Sequence, residues 1–162
     1  MKNYHIDIQI ACNNKIPVTK QILKKWITTT LAHHCKQAEL TLRLVTVNEI
    51  TELNSKYRNK NQSTNVLAFP FQSLPNIQLA YPLLGDIIIC PEILVKEVES
   101  EILHPHHMQL IAHWAHITIH GVLHLLGFNH IEEQERIIMQ TEEIKLLNIF
   151  HFNNPYEGQN CE

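Results

Sequence analysis

The chain has 162 residues, 44% of them hydrophobic, and a formal net charge of −3; that is enough apolar material for one globular domain with a real core and calls for no second. No apolar run reaches the length of a bilayer span, and the opening MKNYHIDIQIACNN lacks a basic leader with a small-residue cleavage site, so the expectation is a cytoplasmic protein with no membrane partner. The four cysteines are scattered without a C-x-x-C pair, which argues against both a thiolate metal site and a disulfide framework.

HIDIQIA (5–11) alternates apolar and polar residues as a half-buried strand does, and Asn13, Asn14 and Pro17 mark the turn after it. Ile22, Leu23, Trp26, Ile27 and Leu31 then recur at helical spacing, with Lys20, Lys24 and Lys25 off the stripe. ELTLRLVTV (39–47) alternates again, and Asn48 is the expected N-cap of a short helix running to about Tyr57. VLAFPF (66–71) and LLGDIIIC (83–90) read as two further strands joined by a Pro-containing loop. Pro91 suits the first turn of a helix to about Leu103; a long apolar helix from about Met108 to Leu126 follows the segment HPHH, and a last one covers about 131–148. The fold class is therefore α+β: a single domain over 1–152, with a small mixed sheet of about four strands packed with about five helices, and a flexible tail at 153–162.

Chemistry is concentrated in HGVLHLLGFNH, residues 120–130. His120 and His124 stand one helical turn apart, so both imidazoles leave the same face. Six more residues would rotate His130 to about 240° off that face, at about 100° per residue, so the helix must stop and the chain must return. Gly127 sits where the stop is needed, because glycine takes the left-handed conformation without a Cβ penalty. Asn129, three residues before Glu132, is placed to cap the last helix. Three imidazoles with an open fourth position make a catalytic rather than a structural metal site, in the frame of the metzincin zinc proteases.

His116 lies on the same face but about 12 Å along the axis from His124, at about 1.5 Å per residue. It cannot share one ion with both and is assigned a supporting or packing role; His113, His106 and His107 are weaker candidates still. Met139 falls in a helical pattern and reads as core rather than as a Met-turn. Gly121 stands where the metzincin proteases carry the glutamate that takes a proton from water and delivers it to the leaving amine. A phosphodiester asks instead for charge neutralisation, which a Lewis-acid metal and an arginine can supply.

NSKYRNKNQSTNVLAFP (54–70) gathers Lys56, Arg58 and Lys60 before a polar turn. Residues 1–60 hold ten Lys or Arg against four Asp or Glu, and the rest of the chain three against twelve. A basic face for a polyanion and an ordinary solvated surface both fit these charges, although a guanidinium fork matches phosphate in a bidentate manner.

HGVLHLLGFNH followed by IEEQERIIMQTEE, together with YRNKNQSTNVLAFPF and LLGDIIIC, resembles the YbeY family of bacterial endoribonucleases in order and spacing through most of the chain. The resemblance implies a metzincin-like zinc site and a single-strand-specific metallo-endoribonuclease acting in 16S rRNA 3′-end maturation and late ribosome quality control. It implies one Zn²⁺ per chain on His120, His124 and His130, with Arg58, in the family's Y-R motif, and His120 as catalytic residues. Lys24, Lys25, Lys56 and Lys60 would track the RNA backbone. The implied partners are single-stranded RNA and 16S rRNA in the small ribosomal subunit, with ribosomal proteins or assembly GTPases as further candidates. Much of the family has Asp at the positions of Asn65 and Asn129 and Ser at that of Ala68, which puts the surroundings of the ligands in question rather than the ligands themselves. Two rivals stand beside this reading: a noncatalytic zinc-containing ribosome-assembly factor, and a zinc peptidase using Glu132 or Glu101 as its base.

Overall fold

Alternation along the strands sorts the apolar residues onto two faces of one sheet. The computed structural model describes residues 1–72, 82–101 and 107–157, in the order β1 (Asn3–Ala11), α1 (Lys20–Ala32), β2 (Gln37–Val45), α2 (Val47–Arg58), β3 (Val66–Pro70), β4 (Leu83–Ile89), α3 (Pro91–Glu101), α4 (His107–Leu125) and α5 (Glu133–Ile149). The strand order is β1-β2-β4-β3. β1, β2 and β4 are parallel, and β3 runs antiparallel to β4 at the far edge. The α+β architecture with a four-stranded mixed sheet and five helices is the one expected from the residue patterns.

Leu40, Leu42, Leu44, Ile87 and Ile89 point to the main core, where they meet Leu23, Trp26, Ile27 and Leu31 of α1 and Trp114, Ile119, Val122 and Leu123 of α4. Val45, Leu67 and Ile88 point the other way and join Ile50 of α2 in a smaller cluster. Burying such side chains contributes about 1.5–3 kcal/mol each relative to exposure. α4 is thus apolar on nearly all sides and packs against α1, β3 and β4. Met139 is buried in α5 as core, as its helical spacing indicates.

Several local expectations are corrected. α2 is capped by Thr46, not Asn48: the strand ends a residue or two earlier than its alternation suggests, and the Thr46 hydroxyl accepts from the Glu49 N–H at 3.2 Å. α5 begins at Glu133 after Glu132, whose N–H donates to the Glu135 carboxylate at 3.4 Å, so Glu132 rather than Asn129 holds the N-cap position. On α1, Ile22 is 40% exposed, and Thr30 takes the core position instead by returning its hydroxyl to the Trp26 carbonyl at 2.9 Å. His104 and His106 lie outside the described residues, as does Leu103, where α3 was expected to end.

Candidate metal centre

The end of α4 is built as the histidine spacing requires. Gly127 adopts φ +103°, its N–H donates to the His124 carbonyl at 3.1 Å, and the Phe128 N–H reaches back to Leu123 O at 3.0 Å. These are the two bonds of a Schellman helix stop, which turns the chain back over the last turn. The Phe128 ring sets its edge against His34 at 5.3 Å, anchoring the returning segment to the end of α1. His130 thereby comes to 5.6 Å from His120 and 4.9 Å from His124, measured between ring centroids.

One nitrogen from each of His120, His124 and His130 lies within 4.8 Å of the others. His120 Nε2 and His124 Nε2 are 3.1 Å apart. A tetrahedral ion bonded at about 2.0–2.1 Å needs ligand atoms about 3.3 Å apart, so His120 and His124 are already spaced for one ion, and His130 lies close enough to join them. Burial, together with the neighbouring His120 and His130, lowers the His124 pKa from 6.5 to about 4. It is therefore a neutral imidazole at physiological pH, the form that donates a lone pair.

A cleft of about 620 Å³ opens in front of His120, His124 and His130, with Arg58, Lys60 and Asn65 among its walls. The size suits a small-ligand site. Its described lining contains no Asp or Glu. Arg58, in the last turn of α2, donates to the Ala68 carbonyl on β3 at 2.7 Å and lies over the Phe69 ring at 5.4 Å. The following loop is fixed by buried Asn54, whose carbonyl accepts from the Lys60 N–H at 3.2 Å while its side-chain amide donates to Gln62 O at 2.9 Å. Of the lysines singled out in the sequence, only Lys60 lines this cleft. Lys56 sits over the Tyr57 ring at 5.2 Å, and Lys24 and Lys25 are exposed on α1.

Asn65 donates its side-chain amide to Glu97 at 3.3 Å. An aspartate there would set one carboxylate against another, so the amide is the better partner in this chain. Glu97 also meets His113 at 3.3 Å. Asn129 is exposed and lines the cleft beside His130. Gly121 faces the sheet: a Cβ built on it would stand 2.8 Å from Ile87 Cγ2. The position lacking the metzincin carboxylate is therefore also one where helix and strand leave no room for a side chain.

Behind the triad stands a group that sequence spacing does not single out. Glu143 on α5 is only 1% exposed, and its carboxylate meets His120 Nδ1 at 2.8 Å, His116 Nε2 at 2.5 Å and the Tyr156 hydroxyl at 2.5 Å. Burial alone would raise this carboxyl, but the bonds from His116 and His120 overcome it and bring the pKa down from 4.5 to about 2. The Tyr156 hydroxyl is pushed well up by burial and by Glu143. One signal for Glu143 was available: it shares a helical stripe with Met139, Leu146 and Leu147, a rare place for a charge unless it is paired. Tyr156 gave none, because residues 153–157, read as the start of a flexible tail, fold back to bring its ring 5.4 Å from His116; residues 158–162 lie outside the described residues.

Known proteins resemble this chain in sequence and in fold. The family model described as Endoribonuclease YbeY matches residues 7–151. A protein named Endoribonuclease YbeY from Legionella pneumophila (strain Corby) is 48% identical over 159 residues, covering 98% of each chain. Its namesake from Psychromonas ingrahamii is 44% identical over 158 residues, covering 94% of this chain and 95% of the other. The solution structure of TM1509 from Thermotoga maritima superposes with a TM-score of 0.59 at 24% identity over 87% of each chain, a likeness of fold. With relatives this similar along nearly its whole length, and a family match that takes in the cleft and the histidine turn, the chain belongs to the endoribonuclease YbeY family.

Proposed function

We infer that this chain is an RNA-cleaving hydrolase, a zinc-dependent endoribonuclease acting on single-stranded RNA. The observation that carries the reading is the make-up of the cleft: three histidines within reach of one ion, Arg58 and Lys60 beside them, and no carboxylate among its described walls. Such a surface attracts a polyanion and lacks the base that peptide hydrolysis needs. Of the two acids that a peptidase reading would use as base, Glu132 is not among the cleft-lining residues, and the side chain of Glu101 lies outside what the structure describes.

His120, His124 and His130 would hold Zn²⁺, which would supply a Lewis acid for the charge of a phosphodiester. Around it the chain's own groups divide the work. Arg58 exchanges its bond to the Ala68 carbonyl for two phosphate oxygens, which its planar fork can grip together. Lys60 adds a point charge on the strand's path, and the Asn54-braced loop keeps it there. Lys24, Lys25 and Lys56 serve longer RNA that runs beyond the cleft. The family resemblance points to the 3′ end of 16S rRNA in the small ribosomal subunit as substrate, within late ribosome quality control in the cytoplasm, with ribosomal proteins or assembly GTPases as partners.

The test is cleavage of a short single-stranded RNA by purified protein, with and without a chelator, beside a peptide control. We expect cleavage that the chelator stops and zinc restores, reduced more than about 100-fold in His124→Ala, beyond what loss of an outer partner costs. RNA cleavage that survives both treatments overturns the metal mechanism. Zinc binding with no turnover on RNA selects the noncatalytic assembly factor, and peptide cleavage selects the peptidase.

A further inference from the structure

The group His116, His120 and Glu143 invites two readings, since its ligand atoms also lie close enough together to hold a metal. The distances decide between them. His116 Nε2 and Glu143 Oε2 are 2.5 Å apart, too near to be two ligands of one tetrahedral ion, whose ligand atoms stand about 3.3 Å apart. The carboxylate and the ring nitrogens are instead hydrogen-bonded. An ionised carboxylate can only accept, so His120 Nδ1, His116 Nε2 and the Tyr156 hydroxyl all donate to it.

With its proton on Nδ1, His120 must present the Nε2 lone pair, and Nε2 is the atom that faces His124. We propose that Glu143, itself held in place by Tyr156 and His116, is a positioning residue that fixes both the tautomer and the ring orientation of His120 for metal binding. Through Tyr156, the segment after α5 thereby becomes part of the metal site's support. Three donors converge on two carboxylate oxygens, and the amide of a glutamine has only one acceptor oxygen to offer. Outer partners of this kind raise ligand basicity and hold the ring where the ion needs it.

The inference rests on the triad's being the metal site, and its test reads metal affinity rather than turnover. Metal-free protein is titrated with zinc in competition with a chromophoric chelator, for wild type, Glu143→Gln and Tyr156→Phe, with the melting temperature of each metal-free protein measured alongside. We expect Glu143→Gln to weaken zinc binding by about 10–100-fold. Tyr156→Phe, which keeps the ring and removes one hydrogen bond, weakens it by about 2–10-fold with little change in melting temperature. Nitrogen-15 NMR of the metal-free wild type shows His120 protonated on Nδ1, and the Nδ1 preference falls in Glu143→Gln. If Glu143→Gln does not fold, Tyr156→Phe and the wild-type tautomer decide the matter. Folded variants that bind zinc as tightly as wild type, or a wild-type His120 protonated on Nε2, overturn this proposal alone, whereas a wild-type chain that binds no zinc overturns the proposed function with it.

Discussion

In front of the histidine triad the cleft offers Arg58, Lys60 and amides, and no acid among its described walls; behind it a single buried carboxylate, Glu143, gathers His116, His120 and Tyr156. The two regions share His120 and treat it oppositely. One side exposes Nε2 to whatever enters the cleft, and the other locks Nδ1 to a fixed acceptor. A carboxylate in the cleft would repel a phosphate and could act as a base on water. Placed behind, it can do neither, but it can hold a ligand. The location of the acid therefore separates this site from a zinc peptidase more clearly than the bare presence of three histidines does.

Arg58→Ala should divide the two regions most sharply. It removes the guanidinium from the front and leaves the ligand set untouched, so RNA cleavage should fall by about 10²–10³, as when one preorganised charge-stabilising donor is lost. Zinc affinity by competition titration should stay at the wild-type value. A loss of zinc binding in Arg58→Ala would show that front and back are not independent.

Acid should break the two regions in different windows. His124 is held at about 4 against an ordinary 6.5, so between those values the folded chain binds fewer protons there than the unfolded chain. The stability it contributes to the metal-free protein is complete above about pH 6.5 and is lost as pH falls toward 4. Glu143, held at about 2 against 4.5, contributes above about pH 4.5 and loses its share as pH falls through about 2. Denaturant midpoints across this range should show the first decline reduced in His124→Gln and the second in Glu143→Gln. A difference between wild type and His124→Gln that does not change from pH 6.5 to 4 contradicts the assignment.

The smallest expected effect concerns the face of α4 turned toward the sheet. An alanine at 121 gains about 1 kcal/mol of helix propensity over glycine, but overpacking a core costs about 1–3 kcal/mol. With Ile87 Cγ2 standing 2.8 Å from the new Cβ, the packing cost should win. We expect Gly121→Ala to lose about 1 kcal/mol by denaturant unfolding, and less in an Ile87→Ala background. Stabilisation by Gly121→Ala would show that the approach to β4 is looser than it is here.

These regions also differ in how far they could be read from residues alone. His120, His124, Gly127 and His130 form a local device: helical geometry dictates where two imidazoles point and where a glycine must stop the helix, so spacing sufficed. Asn129 failed as a cap because two acids, Glu132 and Glu135, compete for the start of α5 within three residues, and local sequence does not say which turn the chain uses. Glu143 shows only as a charge on the apolar stripe of α5; its reach to His120 across the packing of α4 on α5, and the arrival of Tyr156 from beyond the last helix, follow from tertiary packing and leave no trace of the partner. Gly121 was legible as a missing base but not as a contact with Ile87, because the partner lies on a strand more than thirty residues away. Among the basic residues, Lys60 differs from Lys24, Lys25 and Lys56 in lining the cleft; the Asn54 brace of its loop spans only eight residues, but the meeting of that loop with the histidine turn is non-local.

The central claim, that one ion on the triad enables RNA cleavage in this cleft, is tested most directly by titrating metal-free protein with zinc while following the initial rate on a short single-stranded RNA. The rate should rise in proportion to added zinc and level off at one ion per chain, and it should stay at background throughout for His124→Ala. Full cleavage by the metal-free protein, or a zinc-dependent rate that His124→Ala retains, would contradict it.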